Sequence, residues 1–328
     1  MAPLAEASAQ RMDLALSRLR VPAVEGTACS PTFGAGLSRE FCDDEPAWDS
    51  LMTQFGASLI PPLLTPARTT GVRGFYVGLE SFITGIDANE DYWRRGTEGD
   101  SMTTDRNRFV DGVLGWGRVS LRKGLPFGFE LGANVGYLVN TSYWTLGVEV
   151  RWAIMEGFRV GQDGAGWLPD VAVRGAVQTL VGDSELNVTV PSVDLTISKP
   201  FVIGDVFWLT PYVSGQLSWI FADTELVDLT PERDQFTECD PDPMPPTDGS
   251  GSPPYCRGNP TDFNHSVVFD PVRSMRARLA VGAQARYEWF TLTGAFAFDL
   301  LTPHELDSSL PTALPRQWRV DIGAGLTY

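Results

Sequence analysis

Residues 316–328 read RQWRVDIGAGLTY, and this stretch decides the fold class. One parity carries apolar and aromatic side chains from Trp318 to Tyr328, whereas the other carries Arg319, Asp321, glycine and threonine. A β-strand places two such sets on opposite faces. The alternation runs into the final aromatic residue without a polar tail. The stretch therefore predicts a strand with an apolar outer face, a polar inner face and a closed edge.

The same alternation recurs from about residue 72 onward. It is clearest in FELGANVGYLVN (129–140), YWTLGVEVRWAIM (143–155) and MRARLAVGAQARYEW (275–289). Ten such segments can be counted, each of the length that spans a membrane as a tilted strand. The pattern predicts an all-β antiparallel up-and-down barrel of about ten strands over residues 71–328. A slip of parity at Pro191–Ser192 predicts a β-bulge.

The connections between these segments alternate in length. Long connections are expected at 87–106, 222–270 and 301–316, short ones elsewhere, and one of medium length at 156–169. When both ends of the barrel are placed on the periplasmic side, all three long connections fall on the outer side. Short periplasmic turns and long outer loops are typical of transmembrane barrels.

The aromatic-capped alternating strands, the loop asymmetry and the terminal GAGLTY resemble the outer-membrane β-barrel proteins of Gram-negative bacteria. The family's assembly signal resembles Gly-x-x-apolar-x-aromatic, which Gly323, Leu326 and Tyr328 match. Ile322 departs from the pattern, since a polar residue is commoner before the glycine. The resemblance implies a bacterial outer-membrane location, contact with outer-membrane lipid, and recognition of the last strand by the barrel-assembly machinery.

Composition narrows the possible functions. The chain has 41 acidic and 25 basic residues, a net charge of −16, so a nucleic-acid partner is excluded by the lack of a basic surface. Only two histidines occur and no cysteine pair has metal-site spacing, so neither a metal nor a cofactor is predicted. The local spacing of the cysteines predicts the disulfides Cys29–Cys42 and Cys239–Cys256, and hence an oxidising compartment.

Residues 1–70 form an N-terminal extension of a different kind. The opening MAPLAEASAQ lacks the apolar stretch of a signal peptide. A helical stripe follows, consisting of Trp48, Leu51, Met52, Phe55 and Leu59. The extension is predicted to be a luminal plug, a periplasmic cap or a binding segment for an envelope partner. The stripe is expected at the periplasmic mouth or a break in the inner wall, with Asp43, Asp44 and Glu45 reaching luminal arginines.

The inward parity carries charges of both signs. A barrel of ten strands encloses little more than its own side chains, so a closed, salt-bridged interior and a narrow pore both remain open. The charged residues expected to face the lumen are Glu80, Glu130, Glu149, Arg151, Arg174, Arg276, Arg278, Arg286, Glu288, Arg319 and Asp321.

These features favour a non-enzymatic membrane barrel that offers small solutes a narrow or plugged passage, gated by the N-terminal segment. The alternative is a structural, adhesive or partner-recruiting barrel that displays the 222–270 disulfide loop. A barrel hydrolase is favoured least, since His265 and Ser266 point in opposite directions on a strand and the polar residues near His304 lie in a proline-bounded loop. No catalytic residue is assigned.

Overall fold

A computed structural model describes residues 10–23, 41–99, 106–156, 168–203, 206–231, 239–240, 255–256, 266–311 and 314–328. Ten antiparallel strands form one closed sheet, in which each strand pairs with its sequence neighbours and β10 pairs with β1. The strands are β1 Phe75–Gly85, β2 Val113–Gly124, β3 Phe129–Leu138, β4 Trp144–Met155, β5 Asp170–Val181, β6 Leu186–Ser198, β7 Phe207–Thr224, β8 Val272–Tyr287, β9 Phe290–Asp299 and β10 Trp318–Thr327. The predicted ten-stranded barrel is confirmed.

The alternation of residue type becomes an alternation of burial. On β4, the side chains from Trp144 to Trp152 on the apolar parity are exposed on the outside, while those between them are buried. Phe129 stacks on Trp152 at one end of the barrel with ring centroids 5.8 Å apart, and Tyr137 meets Trp144 at the other end at 5.2 Å. An apolar band between two aromatic belts is the exterior of a membrane-spanning barrel.

The two openings of the barrel differ in their connections. Among the described residues, the short-turn mouth carries 125–128, 156, 168–169, 199–203, 206 and 288–289, together with the start of β1 and the end of β10. The long-loop mouth carries the described residues of 86–99, 106–112, 139–143, 182–185, 225–231, 266–271, 300–311 and 314–317. Two short helices, α2 (Asp91–Arg95) and α3 (Pro303–Leu306), lie in its longer connections. None of the helices in the described ranges is long and apolar enough to cross a membrane.

The bulge predicted at Pro191–Ser192 is wrong. Pro191 pairs with Val177 and Ser192 with Ala176 in unbroken register. The parity of apolar residues slips there because Val188 and Val190, both 0% exposed, point inward. A register shift occurs instead on β4, between Ala153 and Met155.

Residues 10–23 and 41–58, called the cap below, lie on the long-loop mouth. A short ladder pairs Arg20–Pro22 with Phe41–Asp43, and the 14-residue helix α1 (Glu45–Ser58) follows. Asp44 begins this helix by accepting a hydrogen bond from the Ala47 N–H at 3.2 Å, with Pro46 in the first turn. The helix packs at the long-loop mouth, away from the short-turn mouth at which the stripe was expected. Which of the two mouths faces the periplasm stays a prediction.

The cysteine pairings stay predictions. Cys42 takes part in a disulfide, but Cys29, its expected partner, lies outside the described residues. Cys239 and Cys256 face each other in a two-residue antiparallel ladder. Their side chains also lie outside the described part of the structure.

Candidate functional site

The cap is held by an apolar core that fills the long-loop end of the lumen. Trp48, Leu51, Met52, Phe55 and Leu59 are each 0% exposed. They belong to one cluster with inward-facing residues from the strand ends. Those residues are Phe82, Leu114, Trp116, Leu138, Leu180, Val188, Val190, Ile220 and Val272.

Polar contacts fix the cap helix against the outer connections. The Trp48 Nε1–H donates to the carbonyl of Asp270 at 2.8 Å, and the Trp48 ring stacks on Phe269. The Gln54 amide oxygen accepts from the indole N–H of Trp93 at 2.7 Å. Its amide nitrogen donates to the Tyr92 hydroxyl at 2.8 Å. The cap helix is therefore joined to two long connections on different sides of the mouth.

Residues 59–70, called the plug below, cross the lumen from the cap to the short-turn mouth. They adopt neither helix nor strand, and they contain Pro61, Pro62 and Pro66. A polyproline-type chain advances about 3.1 Å per residue, so this segment can span roughly 30 Å, the thickness of a bilayer core. The chain then turns at Gly71, where φ is +85°, and enters β1.

Luminal side chains bind the backbone of the plug in its upper half. Arg319 Nη1 donates to the carbonyl of Ile60 at 2.6 Å, and Arg174 Nη2 to that of Pro62 at 2.8 Å. Gln216 and the Tyr212 hydroxyl each donate to a further carbonyl, those of Pro61 and Leu63, at 2.9 Å. The barrel wall thus donates hydrogen bonds to four successive carbonyls of the plug. These carbonyls need outside donors because proline has no N–H to offer within the segment.

The lower half of the plug binds the wall with donors of its own. The N–H of Ala67 donates to Ser198 Oγ at 3.1 Å, and that of Thr70 to Glu130 at 2.9 Å. Thr69 donates through both its N–H and its hydroxyl to Glu156 Oε1, at 3.1 and 2.6 Å. The plug is consequently bound to the barrel wall in both halves of its length.

The luminal charges also form ion pairs with one another. Arg174 bridges Glu149 at 2.7 Å and Asp194 at 2.8 Å, and Arg151 pairs with Glu130 at 3.0 Å. The set continues along the wall with Arg276 and Arg278 on Asp299, Arg319 on Asp321, and Arg118 and Arg122 on Glu80.

Two of the eleven charged residues expected to face the lumen lie elsewhere. Nine of the eleven are inside the barrel and at most 8% exposed, namely Glu80, Glu130, Glu149, Arg151, Arg174, Arg276, Arg278, Arg319 and Asp321. Arg286 is exposed near the short-turn mouth. Glu288 is exposed in the turn after β8, where its φ is +50°, because the strand ends at Tyr287 and its parity no longer applies.

Among the described strand residues, five buried charged side chains that face the lumen were missed from the sequence: Arg118, Arg122, Asp170, Asp194 and Asp299. A signal for two of them was present, since Arg118, Ser120 and Arg122 share one parity in GRVSLRKG. The glycines on the opposite parity weakened the apolar half of that pattern.

The acidic residues at the start of the cap helix do not reach luminal arginines, contrary to expectation. Asp44 pairs with Arg95 of α2 at 2.5 Å, and Glu45 accepts a hydrogen bond from the N–H of Asp270 at 3.0 Å. Burial, reinforced by the neighbouring carboxyl of Asp43, raises the pKa of Glu45 to about 8. Burial also raises the pKa of Asp49 to about 6, with Asp270 adding to the shift.

The polar residues near His304, in the proline-bounded loop, form local structural contacts. Thr302 and Glu305 form a capping box for α3. His304 Nδ1 lies 2.7 Å from the carbonyl oxygen of Leu310, and Ser309 donates to Asp307 at 2.6 Å. His265 lies outside the described residues. Within the described ranges, no group of three or more His, Cys, Asp or Glu is placed to hold a metal ion.

An antiparallel closed sheet with an apolar exterior, aromatic belts and a polar interior defines the class of transmembrane β-barrels. This chain is a closed ten-stranded barrel of that architecture, and its own N-terminal segment crosses the lumen. No family model and no curated relative matches its sequence.

Solved outer-membrane barrels share its general architecture. One is Ail, the attachment invasion locus protein of Yersinia pestis, with 7% identity over 78% of this chain and 99% of that chain and a TM-score of 0.25. A second is the N-terminal barrel domain of Pseudomonas aeruginosa OprF, with 11% identity over 77% and 97% and a TM-score of 0.27. A third is the KdgM porin, with 6% identity over 77% and 99% and a TM-score of 0.28. The likeness extends to the fold alone.

Proposed function

We propose that the protein is a closed, non-enzymatic barrel of the bacterial outer membrane that holds a folded cap at the cell surface. In this proposal the long-loop mouth faces outward, as long loops do in transmembrane barrels. The cap and the adjoining connections, including 222–270, then form a surface for an external partner. The observation that carries the proposal is the continuous path of the chain from the outer cap through the filled lumen.

The free energy needed to withdraw the cap favours a permanently capped barrel over a gate that opens spontaneously. Withdrawing the cap would expose Trp48, Leu51, Met52, Phe55 and Leu59, all now 0% exposed. At about 1.5–3 kcal/mol per side chain, this costs on the order of 10 kcal/mol. At roughly 1.4 kcal/mol per factor of ten, spontaneous opening would be limited to about one molecule in ten million. The loss of the plug's hydrogen bonds adds to that cost.

Conductance of the full-length protein in a planar bilayer tests this function. The proposal expects no sustained current, because both halves of the plug are bound to the wall. Frequent channel openings of the full-length protein at modest voltage would overturn it.

A passage gated by the plug is the second candidate. The observation that favours it is the nature of the upper contacts, since the wall binds backbone carbonyls of Ile60, Pro61, Pro62 and Leu63 and no plug side chain is required. Water or a solute with acceptor oxygens could replace such contacts. This candidate requires an external event that removes the cap and raises conductance.

A further inference from the structure

Five inward-facing side chains, called the polar layer below, lie at one level of the lumen. Each comes from a different strand of five consecutive ones: Asn134 on β3, Thr145 on β4, Gln178 on β5, Ser192 on β6 and Ser218 on β7. The register brings them together, since Asn134 and Gln178 both oppose Gly147, and Ser192 opposes Ser218. The polar layer therefore follows the wall across five of the ten strands.

Gly147 lets the two amide side chains of the polar layer approach each other. A Cβ atom at Gly147 would lie 2.4 Å from Gln178 Oε1 and 2.6 Å from Asn134 Nδ2. Both amides thus lie over the same glycine, and a larger residue there would displace them.

Side-chain atoms of the polar layer have no hydrogen-bond partner among the described residues. This holds for Asn134 Oδ1, Thr145 Oγ1, both amide atoms of Gln178, Ser192 Oγ and Ser218 Oγ, all of them buried. In native proteins about nine in ten buried polar groups bind protein atoms or ordered water, because an orphaned group is costly. Five such side chains side by side point to a bound molecule that supplies their partners.

The surroundings of the polar layer indicate which molecule this is. Toward the cap, the next inward positions on β5, β6 and β7 belong to the apolar core, namely Leu180, Val190 and Ile220. Toward the short-turn mouth, the next inward positions on β4 and β6 are Glu149 and Asp194, which are already paired with Arg174. The polar layer itself carries no charge and offers both donors and acceptors. An ion finds no counter-charge there, whereas water donates and accepts together.

We propose that the polar layer binds a cluster of ordered water molecules at the junction between the cap core and the ion pairs of the wall. These waters link five strands around the plug. They enter from the short-turn mouth, because the apolar core blocks the other side. A cavity of about 60 Å³ at that mouth, lined by Thr70, Arg122 and Glu130 among others, has room for a few water molecules. The site goes beyond the proposed display function, since a closed barrel and a gated barrel both contain it.

Magnetisation transfer from water to side-chain amide protons tests the site. The measurement is made by NMR on the full-length protein in detergent micelles, with a rotating-frame experiment to separate dipolar transfer from proton exchange. We expect dipolar cross-peaks between water and the NH₂ groups of Asn134 and Gln178.

Gln317 is the matched control in the same spectrum. It is 3% exposed, close to the 1% of Gln178. Its Nε2 donates to the carbonyls of Gln54 and Gly85 at 3.3 and 3.1 Å, and its Oε1 accepts from Arg276 at 3.1 Å. The Gln317 amide should therefore show no water cross-peak. Absence of cross-peaks at Asn134 and Gln178, or equal cross-peaks at all three amides, would overturn the proposal.

Gln178→Met gives a second test through the denaturant midpoint of unfolding. If waters bind the amide, the variant loses their hydrogen bonds and the midpoint falls. If the polar layer is dry, the variant removes an orphaned amide and the midpoint rises, which would also overturn the proposal. Val177→Met, on the lipid-facing side of the same strand at 39% exposure, controls for the new residue and should leave the midpoint unchanged.

Discussion

Arg174 is the side chain that ties the plug to the wall most directly. Its guanidinium donates hydrogen bonds to Glu149, Asp194 and the carbonyl of Pro62, at 2.7, 2.8 and 2.8 Å. The Arg174 residue is only 2% exposed. Removing one partner of a buried ion pair leaves uncompensated charge, which costs about 3–5 kcal/mol. We therefore expect Arg174→Met to lower the free energy of unfolding by about this amount, as measured by denaturant unfolding in detergent.

Arg273→Met provides the comparison for that measurement. Its pair with Asp223 spans 2.5 Å, but the two side chains are 45% and 47% exposed. Exposed ion pairs contribute about 0–1 kcal/mol. Equal losses in the two variants would show that the buried network does not hold the lumen together.

Glu45 predicts a dependence of cap stability on pH. Its pKa rises from the usual 4.5 to about 8 in the folded protein, chiefly through burial. The folded state therefore binds more protons than the unfolded chain, and stability falls as pH increases across that interval. Thermal unfolding at pH 5 and pH 8 measures the difference.

Glu45→Gln isolates the contribution of this group. The variant should lose much of the decrease in stability between pH 5 and pH 8, with Asp49 supplying a smaller decrease that ends near its pKa of about 6. A wild-type protein that gains stability over this interval, or a Glu45→Gln profile identical to wild type, would contradict the assignment.

At this scale, parity correctly placed nine charged residues in the lumen but did not predict their partners. Arg319 contacts the carbonyl of Ile60, 259 positions away in sequence. Neither RVDIGAG nor LIPPLL predicts that contact, because its acceptor is a backbone carbonyl that any residue type could provide.

Strands are the elements whose outer face meets lipid. Val148 lies near the middle of β4 and is 60% exposed on that face. An arginine near the bilayer midplane costs about 2–4 kcal/mol, and about 0–1 near the interface. We expect Val148→Arg to reduce the free energy of folding into lipid vesicles by the larger amount. Val113→Arg, at the first residue of β2, should show the smaller one.

Equal effects of Val148→Arg and Val113→Arg would show that the membrane-facing apolar band is not centred near Val148.

The strands themselves could be predicted, since alternating residue type and membrane-spanning length are local properties. The supposed bulge on β6 shows where such reasoning fails. Val188 and Val190 point inward because the cap packs on them, and a sequence pattern cannot separate an apolar lumen from a change of register.

The position of the cap is a property of the whole molecule. An apolar helical stripe fits either mouth, so its sequence alone did not decide between them. The deciding signal lay on the strands, where inward apolar residues such as Phe82, Trp116, Val188 and Ile220 gather at the long-loop ends. The other ends carry inward charges such as Glu130 and Arg151.

Deletion of residues 1–66 tests the contribution of the plug to the closed state. The ten strands pair with one another and need no N-terminal partner, so the shortened chain should still form a heat-modifiable barrel. Its conductance should exceed that of the full-length protein, because the plug no longer fills the lumen. An unfolded product would mean that the cap core is required for closure of the barrel.

The proposed display function requires that the chain crosses the lumen and carries its N-terminal cap to the cell exterior. Val21 lies in the cap and is 38% exposed, while Phe127 lies in a short turn and is 90% exposed. The most direct measurement labels Val21→Cys and Phe127→Cys in intact cells with a membrane-impermeant maleimide, each against the parent chain. We expect Val21→Cys to react in intact cells and Phe127→Cys to react only after lysis. Protection of Val21→Cys together with reaction of Phe127→Cys in intact cells would contradict it.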